Sequence, residues 1–137
     1  MKTTYVLDSS ALIRYIDDEA GADRVSAVLK ACVSGQASVY ISALQWGEVA
    51  GNLHKRLEAT RARRILDSLL PSEVEIVSAT PDRAVRAALH KVEKKIAFAD
   101  AFALELAMES KDRVLLTADY GFKAVEEAIR IEFLPAK

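Results

Sequence analysis

Apolar positions along this 137-residue chain fall into two alternating patterns. Short runs dense in valine, isoleucine, leucine and tyrosine predict strands. Longer stretches with apolar residues three and four apart predict helices. Residues 4–7, Thr4-Tyr5-Val6-Leu7, read as a first strand. Ser9 or Ser10 then opens a helix carrying Leu12, Ile13 and Ile16. A second helix fits residues 22–33, with Val25, Val28, Leu29 and Cys32 at helical spacing and Gly35 past its end. Residues 38–41 read as a strand, and Ser42 opens a longer helix through Trp46, Val49, Ala50, Leu53 and Leu57.

The alternation continues to the C-terminus. Residues 60–70 form a helix with Ile65, Leu66, Leu69 and Leu70 on one side, stopped by Pro71. A strand at 74–77 follows, and Pro81 suits the first turn of a helix reaching Lys94. An alanine-rich helix at 99–110, a strand at 113–117, a turn at Gly121, a short helix at 122–128 and a strand at 129–133 complete the pattern. Strands alternating with helices predict an α/β fold, a central parallel sheet flanked by helices on both faces. In such sheets ligands bind beyond the carboxyl ends of the strands. The length predicts one domain, 1–137.

Composition narrows the function only slightly. Nineteen Lys and Arg against twenty Asp and Glu give a formal net charge of −1. Any polyanion must then be met by a local basic patch or through a metal. Cys32 is the only cysteine, which excludes an internal disulfide and a cysteine-based zinc site. The first apolar run ends at Asp8, too short for a signal peptide, and no run approaches membrane-spanning length. A cytoplasmic protein without a membrane partner is expected.

Four carboxylates sit in apolar surroundings or beside them: Asp8, Glu48, Asp100 and Asp119. Burying a carboxylate alone is costly, so it persists with a cation, a proton or several hydrogen bonds. Asp8 and Asp119 each lie just past a predicted strand. If those strands are neighbours, the two share one rim. Asp8 reads equally as a helix cap or as a ligand, and Asp119 as a turn residue or a ligand. Asp100 has Ala97, Ala103, Leu104 and Ala107 as its helical neighbours, which places it on an apolar face. Glu48 falls nearly opposite its helix's apolar stripe, and periodicity alone makes it a solvated residue.

These segments carry a resemblance. YVLDSSALIRYI, SALQWGEVAGNL, KIAFADAFALELA and VLLTADYGF, in this order and spacing, resemble the PIN-domain nucleases, in particular the VapC-type toxins of toxin–antitoxin pairs. The resemblance spans nearly the whole chain. It implies that Asp8, Glu48, Asp100 and Asp119 form an acidic quartet binding one or two Mg²⁺ or Mn²⁺ ions. It also implies that the hydroxyls of Ser9 and Thr117 support metal or substrate. Hydrolysis of RNA by an activated water would leave a 5′-phosphate and a 3′-hydroxyl, with no histidine base needed. Further implications are a cognate antitoxin held in an apolar groove lined by Leu12, Ile16, Trp46 and Leu53, and a homodimer.

The RNA-contacting groups are not fixed by the resemblance. Arg14 near the rim and Lys91, Lys94 and Lys95 ahead of Asp100 are candidates. The basic stretch from Lys55 to Arg64 reads either as a phosphate contact or as a solvated helix surface. Three other readings compete: a PIN-fold RNA-binding or processing module, an aspartyl-phosphate phosphotransferase and a receiver-like domain. The phosphotransferase needs a second Asp two residues past the first, where this chain has Ser10.

Overall fold

The computed structural model describes residues 2–137. Five parallel strands form one sheet: β1 (Thr3–Leu7), β2 (Ala37–Ser42), β3 (Glu75–Val77), β4 (Arg113–Thr117) and β5 (Arg130–Phe133), in the order β3-β2-β1-β4-β5. The central strand β1 pairs with β2 on one side and β4 on the other, with Leu7 opposite both Ile41 and Leu116. Six α-helices connect them: α1 (Ser9–Ile16), α2 (Ala22–Val33), α3 (Ala43–Arg56), α4 (Ala59–Leu69), α5 (Pro81–Lys94) and α6 (Phe98–Ala107). The predicted parallel α/β architecture is the one observed.

Strand alternation divides the core between the two faces. Leu7, Val39, Ile41 and Leu116 pack with Leu12, Val25, Leu29 and Leu53 on one face. Val6 and Leu115 turn to the other face, against Ala103, Leu104, Leu106 and Phe122. Helix starts follow local chemistry. Ser42 caps α3 by accepting the Leu44 N–H at 3.3 Å. Thr80 caps α5 by accepting the Arg83 N–H, with Pro81 in the first turn.

Two segments and two residues depart from the sequence reading. The helix expected at 122–128 is a 3₁₀ helix over Tyr120–Val125. It starts earlier because Asp119 caps it, accepting the Gly121 N–H at 2.8 Å. Helix α6 ends at Ala107 rather than at 110. Leu12 and Leu53 are fully buried core residues, so neither lines a groove open to a partner.

Gly21 caps α2 at φ +91°, and a Cβ there would stand 2.9 Å from Leu134 Cβ. Gly35 has φ +81° with open space around it. Gly21→Ala is therefore expected to cost about 1–2 kcal/mol for the left-handed backbone plus about 1–3 kcal/mol for overpacking. Gly35→Ala should cost only the first. Urea denaturation of both variants measures the difference, and equal costs would refute the clash.

Candidate active site

The acidic residues are placed by the sheet. Asp8 follows β1 and Asp119 follows β4, and these strands are hydrogen-bonded neighbours. The shared rim expected from the sequence therefore exists. Asp100 is in the first turn of α6, and Glu48 is on α3, which opens from the end of β2.

Asp8 is 2% exposed and surrounded by neutral donors. Its Oδ1 accepts the Ala11 N–H at 3.1 Å, so it does cap α1. The Ser10 hydroxyl is shared between its two oxygens at 2.8 and 2.9 Å. The Thr117 hydroxyl donates to Oδ2 at 2.6 Å. Burial dominates these contacts and pushes the carboxyl up to about 6, with the charge of Asp100 adding to the rise. Thr117 also accepts the Asp119 N–H at 2.9 Å, and Ser10 accepts the Ala118 N–H at 2.9 Å. Together they join the ends of β1 and β4.

Asp100 is half-buried, and its pKa is also raised, first by burial. Gln45 opposes that rise by hydrogen bonding, while the nearby charges of Asp119 and Glu48 add to it. Glu48 is exposed, as periodicity expects, yet its Oε1 accepts the Ser9 hydroxyl at 3.1 Å. Both statements hold because α3 buries Val49 and Leu53 on one side and turns Glu48 toward the start of α1. Electrostatic contact thus links Asp8 to Asp100, and Asp100 to both Asp119 and Glu48.

None of the ion pairs among the described residues involves any of these four carboxylates. Nor do three Asp, Glu, His or Cys side chains among the described residues stand close enough to grip one ion directly. Like charges repel, and Asp8, Glu48, Asp100 and Asp119 each have a neutral hydrogen-bond donor. The donor set is all oxygen, negative and lacking a counter-charge, which suits a hard divalent ion.

Arg14 is not at the rim. It is 9% exposed, and its Nη1 donates to Ala20 O at 2.7 Å and Pro135 O at 2.8 Å. It ties the loop after α1 to the C-terminal segment, so its expected RNA contact is corrected. Lys91, Lys94 and Lys95 are exposed at the end of α5, ahead of Asp100. Two residues were missed. Ser10 has no periodic signal. Gln45, 0% exposed, lies three residues before Glu48 on α3, and that spacing could have shown a shared helix side.

No curated protein matches the chain by sequence. Among solved structures, the chain is similar to VapBC2 from Rickettsia felis bound to a promoter DNA fragment. That match has a TM-score of 0.73 and 16% identity over 96% of this chain and 99% of that one. It is also similar to VapC20 from Mycobacterium tuberculosis, a sarcin–ricin loop cleaving toxin. There the TM-score is 0.72 and the identity 20%, again over 96% and 99%. A protein from Pyrobaculum aerophilum is 24% identical over 96% and 92%, with a TM-score of 0.67. These matches show the fold. The PIN domain family model matches residues 5–128, a span that includes all four carboxylates, and the chain therefore belongs to the PIN-domain family.

Proposed function

We propose that this protein is a metal-dependent endoribonuclease and the toxin of a VapC-type toxin–antitoxin pair. The carrying observation is the set of four carboxylates around one sheet rim with no Lys or Arg among the described residues paired to any of them. Membership of the PIN family and the fold shared with VapC proteins support the reading.

Asp8, Asp100 and Asp119, with Glu48, hold one or two Mg²⁺ or Mn²⁺ ions directly or through water. Such an ion supplies positive charge for the phosphate oxygens and a more acidic water for attack. The chain's own groups do the positioning. The Ser10 and Thr117 hydroxyls fix both oxygens of Asp8. Ser9 fixes one oxygen of Glu48, leaving the other to orient the attacking water. Lys91, Lys94 and Lys95 meet RNA phosphates on the approach to Asp100. The products are a 5′-phosphate and a 3′-hydroxyl.

The partners are an RNA substrate, a cognate antitoxin and a second copy of the chain. Val85, Leu89 and Val92 leave one side of α5 apolar at 72%, 58% and 74% exposure, which supports a dimer contact. No helix among the described residues is long and apolar enough to cross a membrane.

RNA cleavage by the purified protein should require Mg²⁺ or Mn²⁺. Cleavage that resists a chelator, or survives undiminished in Asp100→Ala, would overturn the proposal. Bound ion should also stabilise the fold. At a hundred times its Kd a divalent ion adds about 2.7 kcal/mol, so Mn²⁺ should raise the wild-type melting temperature well above that of Asp100→Ala treated identically. Equal shifts would show that Asp100 is not part of an ion site.

A further inference from the structure

Gln45 is a large polar side chain with no exposed surface, placed between the two most buried carboxylates of the site. Its Oε1 accepts the Ser9 N–H at 2.7 Å, in the residue directly after Asp8. Its Nε2 donates to Ala99 O at 2.9 Å and to Asp100 Oδ1 at 3.2 Å. The amide cannot turn over. Ser9 offers only an N–H on one side, and Ala99 and Asp100 offer only acceptor oxygens on the other. One residue of α3 therefore spans the first turns of α1 and α6, the helices next to Asp8 and carrying Asp100.

We infer that Gln45 is a positioning residue that sets the separation and aim of Asp8 and Asp100 for a divalent ion. The inference rests on the proposed metal-dependent activity. Gln45 does not touch the ion or the RNA. By hydrogen bonding Asp100 Oδ1 it fixes the carboxylate's orientation and leaves Oδ2 available to an ion. By holding the Ser9 backbone it fixes the turn in which Asp8 and Glu48's partner Ser9 stand. Groups that orient metal ligands typically change affinity or activity by about 10–100-fold when removed.

The test is Mn²⁺ titration followed by electron paramagnetic resonance, with wild type, Asp100→Ala and Gln45→Met at a temperature where all are folded. Methionine keeps the length and apolar bulk of glutamine but none of its three hydrogen bonds. Gln45→Met should bind Mn²⁺ about 10–100-fold more weakly than wild type. RNA cleavage at saturating Mn²⁺ should show a lower kcat with an unchanged KM for RNA. A residue that only packs the core would lower the melting temperature and leave Mn²⁺ affinity intact. Should Gln45→Met not fold, Gln45→Asn gives the same reading, since it keeps an amide one methylene too short for both partners. Wild-type affinity in the folded Gln45 variants, with Asp100→Ala impaired, overturns this inference alone. No Mn²⁺ binding by wild type overturns the metal reading and this inference with it.

Discussion

Asp8→Asn is expected to stabilise the metal-free protein while ending RNA cleavage. Asp8 is 2% exposed, and its carboxyl is pushed up to about 6 from an ordinary 3.8, chiefly by burial. The folded state thus holds the Asp8 proton more tightly than the unfolded chain does. Below pH 3.8 both states are protonated and there is no penalty. Between 3.8 and 6 stability falls as pH rises, and above 6 the full penalty stays in place. Its size is about 3 kcal/mol. Asparagine carries no charge, can still accept the Ala11 N–H, and is as good a helix cap, but its NH2 replaces the oxygen that accepts the Thr117 hydroxyl, so the gain falls below that figure. In chelator at pH 7.5, Asp8→Asn should therefore unfold at higher urea than wild type, and the gap should vanish near pH 3.5. Cleavage in Mg²⁺ should fall by about a hundredfold or more, since a neutral side chain holds less tightly the ion whose positive charge would act on the reacting phosphate. A variant less stable than wild type at pH 7.5 would sink the electrostatic account of this site.

The second large effect is expected far from the rim. Glu105 on α6 is 4% exposed and receives Arg83 at 3.0 and 3.2 Å and Arg86 at 3.0 Å. Arg83 also pairs with Glu109, which in turn meets Arg113 at 3.0 Å. The Glu105 pairs join α5 to α6, the helix whose first turn presents Asp100. Removing one partner of a buried pair costs about 3–5 kcal/mol, because the other charge is left without compensation. Arg83→Met should approach the lower end of that range, since Arg86 still reaches Glu105. Adding Glu105→Leu to it should restore part of the loss, because neither buried charge then remains. Denaturant unfolding of the two single variants and the double gives the coupling, and strictly additive losses would refute it.

What the sequence revealed depended on how local the cause was. Helix α5 was bounded correctly because Pro81 and its cap Thr80 act within one turn. Asp8 and Asp119 were placed on one rim by a rule about parallel sheets, and the β1–β4 pairing bears that out. Arg14 was misplaced because its acceptors, Ala20 O and Pro135 O, are fixed by chain 6 and 121 residues away. Glu48 lay beyond periodicity because its cleft-side partner, Ser9, is 39 residues off. The sequence puts a turn at Gly121 and the helix after it, whereas Asp119 accepts the Gly121 N–H and so starts a 3₁₀ helix over Tyr120–Val125.

The sheet order has a consequence for the order of synthesis. Strand β1 is made first and lies at the centre, but one of its two edges stays open until residues 113–117 are made. Thr117 and Asp119 arrive with that strand, when nearly nine-tenths of the chain already exists. A ribosome that stops before Arg113 therefore releases a chain with β2 and three of the carboxylates but no completed rim. On the proposed function, the site is assembled only once the β1–β4 pairing forms, a contact of long sequence separation that its rim needs.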